Sequence, residues 1–176
     1  METDDPTRVN HQCLFISIVG AEGPQYAIGN IGLEVVGDIV QDEVAQLIFL
    51  EKGIVYSRQD LVASQAAIEE LLADRGYAFA NVNGVPEQRR DSAIVNFTFI
   101  VDPGPSVYIR RINIMGNEST RDEVIRRELR QLEGAVYSLS KIRRSRERLA
   151  KLGFFRDVSI QTPRVSGVID QVDMLV

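Results

Sequence analysis

Tryptophan is absent from this chain, and histidine and cysteine occur once each, as His11 and Cys13. A single cysteine excludes an intramolecular disulfide, so cysteine usage selects neither a reducing nor an oxidising compartment. There is no cluster with metal-ligand spacing and no phosphate-cradling glycine loop. His11 and Cys13 have no orienting acid or oxyanion loop nearby, so the pair reads as part of a terminal stretch. The carboxylate pairs Asp42-Glu43, Glu69-Glu70 and Asp122-Glu123 fall in helical segments, where solvated faces and caps explain them. The expectation is a non-enzymatic protein without metal or cofactor.

Long apolar runs are also missing. None approaches the roughly 20 residues that span a bilayer, and Met1-Glu-Thr-Asp-Asp-Pro-Thr7 lacks a basic-then-apolar signal pattern. Taken at face value the chain is soluble and cytosolic; an internal piece of an exported protein would read the same way. With 44% hydrophobic and 26% charged residues, the composition is that of a folded protein. The net charge of −5 hides an asymmetry: residues 1–105 hold 6 Lys+Arg against 16 Asp+Glu, a balance of −10, whereas residues 106–176 hold 14 against 9, a balance of +5. The two parts are therefore expected to meet different partners.

What is present is a repeat with a period near 80. In order along the chain, Gly23-Pro24 answers Gly104-Pro105, Tyr26 answers Tyr108, and Val36-Gly37 answers Met115-Gly116. Asp42-Glu43-Val44 then answers Asp122-Glu123-Val124, Gly53-x-Val55-Tyr56-Ser57 answers Gly134-x-Val136-Tyr137-Ser138, and Gly76-Tyr77 answers Gly153-Phe154.

Within each copy the first segment, Tyr26 to Val36 or Val107 to Met115, is β-rich and ends at glycine. Ile109 and Ile112 fall out of phase around Arg110-Arg111, which predicts a bulge there. Thr120-Arg-Asp-Glu123 fits a capping box, with Asp38 to Gln41 its looser counterpart, and Gly53 and Gly134 are expected to close the first helices. Second helices start near Ser57 and Ser138 and carry Leu61, Ile68, Leu71 and Leu72, or Leu139, Ile142, Leu149 and Leu152. Two β-rich runs follow in each copy, Ala78 to Val85 with Ser92 to Val101 and Asp157 to Thr162 with Gln171 to Val176, split by turns beginning at Pro86 and Pro163.

The fold expected is α+β: two tandem β-α-α-β-β modules, each with two helices on a three-stranded mixed sheet. Residues 1–21 form an N-terminal stretch whose Leu14 to Val19 reads as a remnant strand of a preceding module. Residues 22–102 and 103–176 are the two modules, joined by Asp102-Pro-Gly-Pro105 as a limited hinge.

Two constellations remain as sites. Basic residues gather on the second copy's helices: Arg126, Arg127 and Arg130, then Lys141, Arg143, Arg144, Arg146, Arg148 and Lys151. A solvated face, an acidic protein partner and anionic headgroups are the three readings. Nucleic acid is disfavoured, because the β-α-α-β order resembles the KH module but the inter-helix segments contain no GXXG. Independently, each three-stranded sheet leaves edges able to pair with extended peptide, along Asn81, Val82 and Asn83 or along Ser159, Ile160 and Gln161.

Leu14 to Val176 resembles the polypeptide-transport-associated (POTRA) domains of outer-membrane assembly factors. The most specific stretches are Tyr108-Ile-Arg-Arg-Ile-Asn-Ile-Met-Gly-Asn117, Arg126-Arg-Glu-Leu-Arg-Gln-Leu-Glu-Gly134 and Arg148-Leu-Ala-Lys-Leu-Gly-Phe-Phe155. They are similar to the last such domain, next to a membrane barrel, and the copy with Gly76-Tyr-Ala-Phe79 resembles the penultimate one. The resemblance implies a periplasmic, polypeptide-binding scaffold segment of an outer-membrane protein in a Gram-negative bacterium. Nascent barrel proteins would pair with its sheet edges. A BamD-like accessory lipoprotein would dock on Arg126, Arg127, Glu128 and Arg130, while Arg143, Arg144 and Arg146 would face the membrane. The alternative is a lipid-surface-binding spacer that orients a barrel without touching substrate.

Overall fold

The computed structural model describes residues 24–37, 39, 41–88, 92–118 and 120–176. The expectations for His11, Cys13, Leu14 to Val19 and the Asp38 cap lie outside them. The first β-rich run becomes β1 (Ala27–Val35), followed by the short α1 (Gln41–Ala45), α2 (Arg58–Asp74), β2 (Asn81–Gln88) and β3 (Ile94–Asp102). The second copy repeats the order with one strand fewer: β4 (Tyr108–Asn113), α3 (Asp122–Glu128), α4 (Leu139–Lys151) and β5 (Gln171–Leu175).

The first sheet runs β1-β3-β2, with β1 parallel to β3 and β2 antiparallel to it. Alternation along β3 buries Val95, Phe97, Phe99 and Val101 on one face, where Ile68 and Leu72 of α2 and Val44 of α1 meet them. The second core repeats this with Val172 and Met174 of β5 against Ile109, Ile112, Ile125 and Leu149. Among the described residues its sheet has β4 and β5 as strands, in parallel; of the run expected as a third strand, Asp157 to Thr162, Gln161 alone bridges β5, to Leu175, and a second isolated bridge, Arg164 to Val172, lies beyond Pro163.

The expected bulge is present. Register shifts between Ile109 and Arg111, and equally between Ile28 and Ile31 in the first copy. Each is pinned by the facing strand: Asn96 Oδ1 accepts from the Asn30 N–H at 2.8 Å, and Asp173 takes both Nε and Nη2 of Arg110, at 2.8 and 2.6 Å. Ser57 and Ser138 cap α2 and α4 through their hydroxyls.

Several local expectations change. The capping box does not form: the N-cap of α3 is Arg121, without a side-chain cap bond, and Asn117 Nδ2 instead holds Asp122 Oδ1 and the Thr120 carbonyl. Gly53 and Gly134 do not close helices, since α1 and α3 end at Ala45 and Glu128. Their N–H groups reach back to the carbonyls of Ile28 and Ile109, both at 2.7 Å, and positive φ there lets the chain double back. Pro86 lies inside β2 rather than starting a turn.

The repeat also registers differently. Tyr56 N–H donates to Tyr26 and Tyr137 N–H to Val107, so Tyr26 answers Val107, one residue from the sequence match. Likewise the buried Val44 answers the buried Ile125. Ser64 and Ser145 complete the match: each buried hydroxyl donates to the carbonyl four residues before it and accepts the N–H of Phe49 or Arg130.

The modules meet through more than their linker. The carbonyl of Gly76, at the end of α2, accepts from Val107 N–H at 2.8 Å, and Asp74 Oδ1 accepts from Ser140 N–H at 2.6 Å at the start of α4. Glu70 pairs with Arg143, Arg164 lies 3.6 Å over the Phe79 ring, and Ala73, Ala78 and Phe79 pack on the second core. The Asp102–Pro105 joint therefore does not act alone as a hinge; side chains from both modules brace it.

Candidate functional site: a basic cleft and the sheet edges

The basic residues that the sequence places together are sorted into different jobs by the fold. Arg126, on α3, points back at the bulged strand: its Nη2 donates to the Ile112 carbonyl at 3.0 Å and its Nη1 lies 3.4 Å from Glu133 Oε1. Glu133 accepts the Ile112 N–H at 2.8 Å. Both main-chain groups of Ile112 on the outer edge of β4 are thereby satisfied by side chains. Glu128 is turned inward, its side chain only 12% exposed, and held by Arg148 at 2.6 Å. Arg143 is committed to Glu70 of the other module, and Arg146 donates through Nε to the Val158 carbonyl at 2.9 Å.

What stays open is a smaller set. The Arg127 side chain is 76% exposed, with a loose 3.7 Å contact to Glu128. Arg130 from the α3–α4 segment joins Lys141, Arg144 and Arg148 of α4 around a cleft of about 380 Å³, with Glu147 at its wall. Among the described residues, Arg130, Lys141 and Arg144 have no carboxylate within 4.0 Å. The cleft thus combines Arg130, expected at the lipoprotein contact, with Arg144, expected at the membrane. Lys141 and Arg148 belong with them, and the signal was in the sequence: positions 141, 144 and 148 share one helical face.

Electrostatics mark the clasp on Ile112. The Ile112 N–H holds the Glu133 carboxyl below its ordinary value against a weaker desolvation, with Arg126 adding to the lowering. Asp173 is likewise lowered, first by its hydrogen bond from Arg110. A lowered folded-state value means the carboxylate's contribution is fully present above the unfolded glutamate range and is lost as pH falls through the folded value. Acidification is therefore expected to release the clasp only below the ordinary glutamate range. The check is the protection of the Ile112 amide, its exchange rate relative to the intrinsic rate at each pH; loss of protection already at the ordinary glutamate value would contradict it.

The candidate edges differ. Asn81, Val82 and Asn83 lie on β2, a true edge strand. Ser159, Ile160 and Gln161 lie on the irregular segment beside β5, and of these three Gln161 makes the ladder-like bonds, at 2.9 and 2.8 Å to Leu175. No helix of the described residues is long and apolar enough to cross a membrane.

Comparison with known proteins agrees with this architecture. The profile of the POTRA family, described as surface antigen variable number repeat, matches residues 26–104 and again 107–176. The outer membrane protein assembly factor BamA of Neisseria meningitidis is 34% identical over 177 residues, covering 99% of this chain and 22% of that protein. The BamA of Nitratidesulfovibrio vulgaris is 30% identical over 84% of the chain and 19% of its own length. The chain therefore spans about a fifth of the length of these curated relatives. Among solved structures, POTRA domains 3–5 of Haemophilus influenzae BamA superpose with a TM-score of 0.78 at 28% identity, over 85% of this chain and 59% of that one. Haemophilus ducreyi BamA lacking POTRA domains 1–3 gives 0.74 at 33% identity, over 85% of this chain and 28% of that one. With the β-α-α-β-β order, the 1-3-2 sheet and the family profile each found along the same chain, and the profile found twice, this protein belongs to the POTRA family and is a tandem segment of the kind that BamA carries.

Proposed function

We propose that this segment is the last pair of POTRA modules of an outer-membrane protein assembly factor, and that it works by holding other polypeptides. It lies in the periplasm as part of an outer-membrane protein. Its second module docks an acidic accessory lipoprotein in the basic cleft, and a sheet edge pairs transiently with unfolded barrel proteins. The observation that carries the docking reading is the set of cations in the cleft with no carboxylate within 4.0 Å among the described residues, Arg130, Lys141 and Arg144; the exposed Arg127 of α3 adds a fourth cation with only a loose contact to Glu128. Uncompensated charge on a concave surface favours a partner of opposite sign.

Arg126 and Glu128 contribute to docking by shaping this surface, the first through the β4 edge and the second through Arg148. The lipid-surface alternative retains Arg144, while Arg143 and Arg146 are engaged within the protein.

Reversing Arg127 and Arg130 to Glu is expected to weaken binding of the accessory lipoprotein by at least about tenfold while leaving the fold intact, because both side chains are exposed. Binding measured in solution with the purified lipoprotein decides it. Unchanged affinity would sink the docking reading, and salt-sensitive vesicle binding lost in the same variant would favour the lipid surface.

A further inference from the structure

The two modules end their first strands differently. In β4 the outward N–H and C=O of Ile112 are occupied by Glu133 and Arg126. In the first module the matching positions are Lys52 and Ala45, both exposed. Lys52 Nζ donates to Asn30 Oδ1 at 2.9 Å instead, and alanine has no group to offer. The first module has the same strand and the same bulge, but no clasp.

Which backbone groups point outward follows from the bonds. Ile28 faces out, since its N–H donates to Ile54 and its carbonyl accepts from Gly53. Beyond the bulge, Val36 N–H turns inward to Val101. Alternation then directs the main-chain groups of Gly32 and Glu34 toward β3 and those of Ile31, Leu33 and Val35 away from it. Among the described residues, nothing hydrogen-bonds those three outward positions.

The opposite edge is guarded. Residues of β3 that face β1 include Ala93 and Val101, so β2 partners in register with odd-numbered β3 residues point outward: Val82, Gly84, Pro86 and Gln88. The Val82 carbonyl is already taken by Gln65 Nε2 at 3.0 Å. Pro86 has no N–H to give, which is how edge strands are protected from pairing.

We propose that the outer edge of β1 at Ile31, Leu33 and Val35 is the strand-accepting edge of this chain, and that its occupant is an extended polypeptide segment. The inference rests on the edge-pairing reading above and assigns its place. Three outward positions at i, i+2 and i+4 offer alternating donors and acceptors that one extended backbone satisfies together. On the other face of β1, Gly32 carries no side chain, and the Cβ it lacks would lie 3.4 Å from Thr98 Oγ1 of β3. Val36, 57% exposed at the strand's end, offers an apolar contact.

The experiment uses the full chain and a soluble peptide of about ten alternating apolar and polar residues, the pattern of a barrel strand. Residue-specific amide exchange is expected to show Ile31, Leu33 and Val35 exchanging faster than Gly32 and Glu34 in the free protein, and becoming protected when peptide is added. The double substitution Ala45→Arg with Lys52→Glu transplants the second module's clasp onto exposed positions. It is expected to weaken peptide binding by about tenfold or more, through loss of main-chain pairing. Protection appearing at Val82 and Gly84 instead would overturn the β1 assignment and leave strand pairing standing. No protection on either edge would overturn both. Undiminished protection at Ile31 in a folded double variant would overturn the role of the missing clasp.

Discussion

Gly76→Ala is expected to loosen the two modules from each other far more than Gly153→Ala loosens anything. Both glycines follow the second helix of their copy and both hold positive φ, 102° and 70°. An alanine in either place bears the backbone strain of a left-handed conformation, about 1–3 kcal/mol. They differ in what a Cβ would meet. At Gly153 there is nothing within 4 Å, whereas at Gly76 the Cβ would lie 2.5 Å from Val136 Cγ1 and 3.0 Å from Ser106 Oγ, both in the second module.

The Gly76 carbonyl also accepts the Val107 N–H, so a shift there loosens the first bond across the joint. The difference between the two variants isolates the joint from the turn. Alignment of the modules by residual dipolar couplings, together with unfolding midpoints, measures it. Equal loss in both variants, with orientation unchanged, would show that the joint does not depend on close approach at Gly76.

The second large effect concerns stability. Phe97→Ala removes a ring that is 1% exposed, stacked on Tyr56 with centroids 4.9 Å apart, at the centre of the first core. Truncating a buried phenylalanine costs about 3–5 kcal/mol. A module of this size has a total stability on the order of 5–10 kcal/mol, so much of it would go. The amides of β1, β2 and β3 are then expected to exchange at far lower urea than those of β4 and β5. Simultaneous loss of protection in both modules would mean that the bonds from Asp74 and Gly76 fuse them into one cooperative unit.

The acidic and basic halves acquire different meanings once these contacts are placed. Part of the contrast is spent inside the molecule: Glu70 and Asp74 of the first module meet Arg143 and the start of α4 in the second. The remainder, centred on Arg130, Lys141 and Arg144, lines the cleft and has no carboxylate within 4.0 Å among the described residues. A count of charges along the chain cannot separate these two uses, because the pairing partners lie more than 60 residues apart.

Sequence by itself determined the features that depend on neighbours within a few residues. The β-α-α-β-β order of the first copy, the Ser57 and Ser138 caps and the bulge at the arginine pair follow from local periodicity and turn chemistry. The repeat and its POTRA resemblance were likewise legible from ordered landmarks. Tertiary structure decided the rest. It moved Tyr26 onto Val107, left the run before Pro163 with a single bridge to β5 rather than a strand, and placed Pro86 on an outward position of β2. It turned Glu128 inward and spent Arg126 on a strand edge while leaving Arg130 without a carboxylate within 4.0 Å among the described residues. Long side chains choose among partners brought close only by folding, and edge exposure depends on which strand lies outermost; local propensity encodes neither.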